Sequence, residues 1–459
     1  MLGRLDESRK EVLILGAGFS GLLAAWHLAR LGWKVDLVEG TDRVGGLIST
    51  NHGALGLAEA AAHSFLATPA VLSLCRELGV TLVPVREKSR ARYILRDGKP
   101  RRFPLKWFET IDLLSKVFFR RADAKHSAEN ADLTLDIWSD FFLGKPALEY
   151  LLNPMVRGVY ASRPSELEIS TAFSGLAVQE GAGILSLLSQ RRKKQASGSH
   201  ARMMAPLLGM NSVISALERE LRAHPRVTIR TGMKVTSLEG MDVPNLISTL
   251  PAYSLSRIFA VDSRLEEASA CARVNYAPLI SVTAFVRQEG FKKPIRGVGT
   301  LVPEIEGKEG WDCLGVLYNS SSFEGRVQDE EAVASFSLMF GGTSHPEHFS
   351  WDDEQLRQKV ISTLERMFGL IRGEEALIDI KIHRWGQAIP IHDGDLRRAR
   401  EALLKGFCSS PGRMVFGNWT GEVSLRGMIE FWDSNSKLLS NASRFAVQKA
   451  LPHAESTRV

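Results

Sequence analysis

"EVLILGAGFSG", residues 11–21, joins an apolar run to three glycines at Gly16, Gly18 and Gly21. The run "EVLIL" is rich in β-branched and leucine side chains, the pattern of a strand buried on both faces in a parallel sheet. After Gly21, "LLAAWHLARLG" carries apolar residues at helical period and stops at Gly32. "KVDLVEG" (34–40) reads as a second strand ending in Glu39. Strand, G-x-G-x-x-G, helix and acid-tipped strand together make the β-α-β dinucleotide fingerprint. The glycines let backbone approach a pyrophosphate, and the helix N-terminus faces it. Phe19 and Ser20 sit in that first helical turn, and Glu39 is placed to accept ribose hydroxyls. A carboxylate there would repel a 2'-phosphate, which argues against NADP.

The next residues narrow the dinucleotide. "TDRVGG" (41–46) resembles the arginine-x-glycine-glycine extension of the large glutathione-reductase-like flavoprotein class. That resemblance implies FAD, with Gly40, Arg43, Gly45 and Gly46 near its phosphates. The class closes its site with C-terminal residues, and "RMVFGNWTGEVSLRGMIEF" (413–431) has the matching order of strand, Gly417-Asn418 and helix. Gly417, Asn418, Val423 and Ser424 are therefore cofactor candidates, the helix N-terminus favouring negative charge on the flavin pyrimidine. "VTIRTGMKVTSLEG" (227–240) looks like a strand pair whose backbone at Val235 would meet adenine, and "LISTLPA" (246–252) like the returning strand of the nucleotide domain.

At 459 residues the chain is too long for one ordinary core, so two or three packed units are expected. With 44% hydrophobic and 24% charged residues it has the composition of a soluble globular protein. No stretch approaches the ~18 to 20 apolar residues of a membrane helix, and the charged start "MLGRLDESRK" is unlike a secretory signal. A cytoplasmic protein is expected, with peripheral membrane contact left open. Cys75, Cys271, Cys313 and Cys408 are dispersed without a C-x-x-C pair, so reduced, buried thiols are expected. The net charge of +6 comes without a basic stripe, which argues against nucleic acid.

Three further stretches resemble the oxygen-dependent protoporphyrinogen oxidase family and its coproporphyrinogen-oxidising bacterial relatives. They are "RYILRDGKPRRFP" (92–104), "NPMVRGVYASRPSELEIS" (153–170) with "QEGAGIL", and the series "RGVGTLVPE", "LGVLYNSSSFEGR", "FGG" (340–342) and "WGQAIPIHDGD" (385–395). The likeness runs from about residue 11 to 445. It implies an α/β fold: a glutathione-reductase-like FAD-binding Rossmann domain, an α+β substrate-binding domain and a helical insertion. The FAD domain would be assembled from 1–88, 203–265 and 406–459, the substrate domain from 89–102 and 266–405, and the insertion from 103–202. The resemblance implies oxidation of a porphyrinogen with oxygen as acceptor in haem synthesis. Arg92 would pair with a substrate propionate, and Val298 and Leu301 would form cavity wall. Removing hydride from an activated methylene needs positioning more than acid or base, so no catalytic triad is expected. The chain departs from the family at Ala61, Ala62, Met210, Val298, Asp395 and Glu422. These departures keep two alternatives open: another oxidase, desaturase or amine oxidase on the same fold, or a flavin- or porphyrin-binding module without turnover.

"FPLKWFETIDLLSKVFFRR" (103–121) is amphipathic and falls in the family's membrane-associating insertion; it either rests in a membrane interface or lines the substrate domain. "QRRKKQASGSHAR" (190–202) reads as a solvated basic loop. "HPEH" (345–348) offers two histidines without a third ligand of metal-site spacing, so no metal is expected. A homodimer is neither required nor excluded.

Overall fold

The computed structural model describes residues 2–187, 202–421 and 423–440. Its first sheet has six strands in the order Leu2–Arg4, Arg413–Val415, Leu246–Ser248, Glu11–Leu15, Lys34–Val38 and Val227–Arg230. All neighbours are parallel except the first pair. The chain thus brings strands from its N-terminal, middle and C-terminal thirds into one layer. Helices Phe19–Arg30, Asn211–Ala223 and Leu425–Ser440 supply one face, burying Ile14, Leu22, Leu37, Leu217 and Ile429. On the other face Leu13, Leu15 and Leu246 meet helices Ala252–Val261, Leu265–Ala272 and Gly394–Lys405. Each fully buried aliphatic side chain contributes about 1.5–3 kcal/mol relative to exposure, and covering both faces explains the unbroken apolar strand "EVLIL".

The second sheet has seven strands in the order Leu377–Pro390, Tyr276–Arg287, Val333–Gly341, Gly315–Leu317, Gly299–Leu301, Arg92–Arg96 and Lys99–Arg101. Only Gly299–Leu301 and Arg92–Arg96 pair in parallel. Side chains alternate across it. Ile280, Val282, Leu338 and Phe340 pack under helix Asp353–Phe368 through Leu356, Val360 and Leu364. That helix begins in a capping box, with the Asp352 carboxylate accepting from the Gln355 amide, and ends at Gly369 in the left-handed region. The opposite face of the sheet meets the helical insertion, where Leu301 lies against Gly158.

The insertion includes helices Trp107–Phe119, Leu135–Phe142 and Asn153–Tyr160, with a core of Leu135, Trp138, Phe142, Val156 and Leu167. No described helix is long and apolar enough to cross a membrane. The four cysteines are free and buried.

The segment 227–240 holds one strand, Val227–Arg230, and not a strand pair. Beyond it the chain turns at Gly232, whose amide donates to the Thr41 carbonyl while that of Met233 donates to Glu39. Those bonds tie the stretch to the loop after the second strand and leave it no ladder partner. Of the basic stretch 190–202, only Arg202 lies within the described residues, at the start of strand Arg202–Pro206.

Candidate active site

The glycine turn joins strand Glu11–Leu15 to helix Phe19–Arg30, whose N-terminus has neither a side-chain cap nor an acid in its first turn. Its backbone N–H groups are thus left for an anion. A Cβ on Gly21 would lie 1.9 Å from the Gly16 carbonyl oxygen, so the helix can pack against the turn only through glycine. The Thr249 hydroxyl donates to the Leu15 and Gly16 carbonyls at 2.9 and 2.8 Å and holds the turn from the neighbouring strand end.

Glu39 accepts from the Ala17 amide at 2.8 Å and from the Thr41 amide at 2.9 Å, which orients its carboxylate beside the turn. Gly45 bridges Gly18, and its amide donates to the Ala17 carbonyl at 2.8 Å. Gly46, at φ +59°, faces Gly18 so closely that a Cβ would sit 3.2 Å from the Gly18 Cα. The Arg43 guanidinium donates to the Gly46 carbonyl at 2.7 Å, fixing this second glycine loop against the first. The result is a side-chain-free cradle beside an open helix N-terminus, with an oriented carboxylate at one end. It fits an FAD pyrophosphate and ribose: Gly16, Gly18, Gly21, Gly45 and Gly46 would line the phosphates and Glu39 the ribose. Gly40 lies against Lys234, so Val235 comes within one residue of the Glu39 side of the cradle.

The C-terminal candidates converge on the same end of helix Phe19–Arg30. The Ser20 hydroxyl contacts the Met428 sulfur at 3.4 Å, and Phe19 is buried in the core that also contains Met428. Ser424 caps helix Leu425–Ser440, its hydroxyl accepting from the Gly427 amide at 3.1 Å. Val423 packs on the insertion core, and Glu422 lies outside the described residues. The Gly417 turn is braced by Thr420, whose hydroxyl accepts from the Gly417 amide, and by Arg400, which donates to the Trp419 carbonyl at 2.8 Å. Burial lowers Arg400 to about 10.

His392 is fully buried between Tyr160, whose ring centroid lies 5.6 Å away, and the backbone at Thr171 and Asn418. Burial holds it neutral, pushed down to about 3. Asp393 and Asp395, in the altered "PIHDGD", serve the following helix. Asp393 is its N-cap, accepting from the Leu396 amide at 2.9 Å, and Asp395 pairs with Arg398 in its first turn.

On the second sheet the register decides which candidates share a face. His383, Ser281, Met339, Gly315, Leu301 and Ile94 form one crosswise row. Gly299 in the adjacent row pairs with Leu317 and Arg92. Residues directly opposite each other point to the same side. Arg92, exposed, thus lies on the face that carries the half-buried Ile94, Leu301, Leu317 and Met339. Leu301 packs over Gly158 of helix Asn153–Tyr160, where a Cβ would come within 2.5 Å of its side chain. Val298 continues the ladder through bonds to Ala91 and Tyr318, and by alternation it points with Thr300 to the other side. The structure therefore unites Arg92 and Leu301 and sets Val298 apart.

A buried polar group that composition and spacing did not reveal lies on strand Leu57–Glu59, which pairs with Thr50–His52. The Glu59 carboxylate accepts from the Met210 amide at 2.8 Å and the Thr50 hydroxyl at 2.6 Å. Met210 stands at φ −63° with its side chain in the core, so a side chain is tolerated where the family has glycine. Arg326, buried like Glu59, approaches it at 3.5 Å and donates to the Pro206 carbonyl. Burial pushes Glu59 up and Arg326 down, and their mutual attraction opposes both shifts.

The Ala60 amide donates to the Ser49 carbonyl, and the Ala60 carbonyl accepts from the Trp385 indole at 2.9 Å, pinning strand Leu377–Pro390 to the segment that follows strand Leu57–Glu59 and leads to His63. His63 and His383 each bury a ring nitrogen, Nε2 and Nδ1, with no hydrogen-bond partner. Burial and the charge of Arg326 push His63 down to about 4; burial also lowers His383. His63 and His383 lie in distant parts of the sequence and carry no shared motif, and only the fold brings them within electrostatic reach of each other. Elsewhere, His345, Glu347 and His348 hold ligating atoms within 4.8 Å of one another. The two rings are parallel, at 1° and 4.6 Å between centroids, so their lone pairs run side by side and do not converge on a point.

The model of the flavin-containing amine oxidoreductase family matches residues 19–422. The chain belongs to that family. It is accordingly a flavin-dependent oxidoreductase, and its cofactor is FAD. Protoporphyrinogen oxidase 2 of Arabidopsis thaliana is 27% identical over 91% of this chain and 91% of its own length. Among solved structures, a protein assigned as a protoporphyrinogen oxidase from Exiguobacterium sp. 255-15 superposes with a TM-score of 0.73 at 17% identity, covering 96% of this chain and all of that one. Cyclohexylamine oxidase from Brevibacterium oxydans IH-35A gives 0.64 at 16% identity, covering 94% and 98%. The chain is thus a divergent relative of protoporphyrinogen oxidases on a fold shared with amine oxidases.

Proposed function

We propose that this protein oxidises a porphyrinogen, protoporphyrinogen IX to protoporphyrin IX or coproporphyrinogen III to coproporphyrin III, with oxygen as the acceptor in haem synthesis. The observation that carries this reading is the register of the second sheet. One face presents a half-buried apolar wall, Ile94, Leu301, Leu317 and Met339, with Arg92 at its edge. A tetrapyrrole with apolar faces and a propionate rim matches an apolar wall bounded by a guanidinium, which can grip a carboxylate through two parallel hydrogen bonds. FAD, when bound, supplies the hydride acceptor. The chain's own residues orient the ring, exclude water behind the insertion and hold the reacting carbon in place.

The insertion also supports a peripheral membrane contact. In helix Trp107–Phe119 no residue is buried, and Trp107, Phe108, Ile111, Phe118 and Phe119 are all more than half exposed. Such a surface suits an interface helix delivering a poorly soluble substrate.

The reading is tested by mixing the FAD-loaded protein anaerobically with protoporphyrinogen, coproporphyrinogen or a primary amine. Flavin absorbance should bleach with a porphyrinogen, and admitting oxygen should release a fluorescent porphyrin. Arg92→Ala should raise KM by roughly 10- to 100-fold with little change in kcat, the loss of one charge-assisted contact. Bleaching by the amine alone would instead favour an amine oxidase on the same fold.

A further inference from the structure

We propose that Lys88 and Arg102 complete, with Arg92, a clamp for the two neighbouring propionates on one edge of the tetrapyrrole, so that this edge enters the site in a fixed orientation. The inference rests on the porphyrinogen reading and deepens it. Protoporphyrinogen IX and coproporphyrinogen III share that edge, because each carries propionates on two adjacent pyrroles; they differ at the other two rings, with vinyl groups in the first and propionates in the second. A single guanidinium holds one carboxylate and leaves the ring free to swing about it. A second cation beside the first fixes the ring's direction over the flavin.

Placement brings the three cations together. Arg92 stands at the edge of the apolar wall by the register of the second sheet, and it also lines an open cavity of about 450 Å³ with Glu87, Lys88, Arg90, Ala91 and Arg102. Arg92 is thus common to wall and cavity. Arg102 reaches it because Ile94 pairs with Arg101 in the edge strand Lys99–Arg101, which carries the next residue alongside the start of strand Arg92–Arg96. Lys88 belongs to a single helical turn, Glu87–Ser89, that is braced on both sides. Before it, Arg86 pairs with Glu330 at 2.5 Å, and the Arg86 amide donates to the Ser322 carbonyl. Within it, the buried Ser89 hydroxyl meets that of Ser321 at 2.9 Å, and after it the Ala91 carbonyl accepts from the Val298 amide at 2.8 Å. The turn therefore presents Lys88 from fixed backbone.

The charge balance points to a ligand. Glu87, the one acid of the lining, accepts from Arg90 at 3.1 Å and neutralises it. The side chains of Lys88, Arg92 and Arg102 have no acidic or hydrogen-bonding partner among the described residues, and all three are exposed. Like charges around one cavity repel one another, and a dianion removes that repulsion while gaining charge-assisted hydrogen bonds. Each arginine can take a carboxylate through two parallel bonds, and the lysine, with its donors on a flexible stem, can bridge to either. The matching ligand is a dicarboxylate on a rigid frame, its apolar body against Ile94, Leu301 and Leu317 and its acids turned into the cavity.

The test uses the FAD-loaded protein, with the stable porphyrin product protoporphyrin IX and its dimethyl ester as ligands in dilute detergent, followed by quenching of tryptophan fluorescence. Lys88→Ala and Arg102→Ala should each weaken protoporphyrin IX by roughly 3- to 10-fold, and the double variant by more than either. None should change the affinity of the ester, which offers no charge to hold. Lys99→Ala removes an exposed cation of the same edge strand that does not line the cavity, and it should bind both ligands as the wild type does. In turnover, Lys88→Ala and Arg102→Ala should raise KM for both porphyrinogens with kcat falling less. The clamp is overturned if the double variant binds protoporphyrin IX as tightly as the wild type, or loses the ester to the same extent. It is overturned as well if Lys99→Ala loses as much, or if glutarate displaces the porphyrin at equal concentration, which would make the cavity a general anion site. If the wild-type protein neither binds the porphyrin nor is bleached by either porphyrinogen, the porphyrinogen reading falls and takes the clamp with it.

Discussion

At the glycine turn the recognising groups are backbone, whereas on the second sheet they are side chains carried by a ladder. Around Gly16–Gly21 and Gly45–Gly46, what counts is the lack of a Cβ and the direction of N–H groups. On the sheet face, what counts is which of Arg92, Leu301, His383 and Val298 share a row, and the register sets that over strands from distant parts of the chain. The first region leaves little room for variation, because any side chain fills it. The second keeps its shape while its chemistry changes residue by residue. That is how one fold serves both amine oxidases and protoporphyrinogen oxidases.

The sharpest way to break the comparison is at Gly21. Gly21→Ala places a methyl 1.9 Å from the Gly16 carbonyl, and the neighbour is backbone that cannot swing away. The variant should lose about 3 kcal/mol of stability and retain little FAD, read as the ratio of flavin to protein absorbance and by thermal unfolding. A variant that keeps its flavin would mean that the turn is more compliant than its geometry implies.

The same contrast explains what the sequence disclosed. A backbone-built site needs glycines at fixed spacing, so "GAGFSG" and "RVGG" could be read directly, and the segments that return to the six-stranded sheet carried recognisable strands. The site on the second sheet depends on register. Leu301 and Arg92 could be proposed by resemblance, but only the pairing Gly299 with Arg92 puts them on one face and Val298 on the other. Likewise Glu59 with Arg326, and His63 near His383, join residues hundreds of positions apart through burial, for which a single chain offers no local signal. The strand expected after Arg230 failed for a related reason: "KVTSL" has strand-like residues but no neighbour to pair with.

A smaller effect separates the two regions by pH. His392 is buried beside the Gly417 turn, and its proton affinity falls from the ordinary 6.5 to about 3 in the fold. Below pH 6.5 the unfolded chain binds a proton that the native state refuses, so stability must fall as pH drops from 6.5 toward 3. This one group should cost roughly 1.5 kcal/mol between pH 6.5 and 5. Urea midpoints across that range should decline steeply, and His392→Gln should flatten the decline by about that amount even if it lowers stability at pH 7. An unchanged slope would show that His392 is protonated in the fold. His63, pushed down to about 4 by burial and the charge of Arg326, lies in the same pH window, so His63→Asn should flatten the slope too.

The smallest effect on the fold belongs to the exposed aromatic residues of helix Trp107–Phe119, which is held to the second sheet not by them but by Glu109 accepting from Arg96 at 2.6 and 2.8 Å. Trp107 is 76% and Phe119 82% exposed, so replacing both with serine removes almost no buried area. Stability should change by less than about 0.5 kcal/mol, and flavin content and bleaching by porphyrinogen dissolved in detergent should be unaffected. Co-sedimentation with vesicles of mixed neutral and anionic lipid should nevertheless weaken several-fold, since each aromatic withdrawn from an interface forfeits its apolar area. If binding to vesicles is unaltered, the apolar face serves the fold or another protein, and the membrane contact proposed for it is wrong.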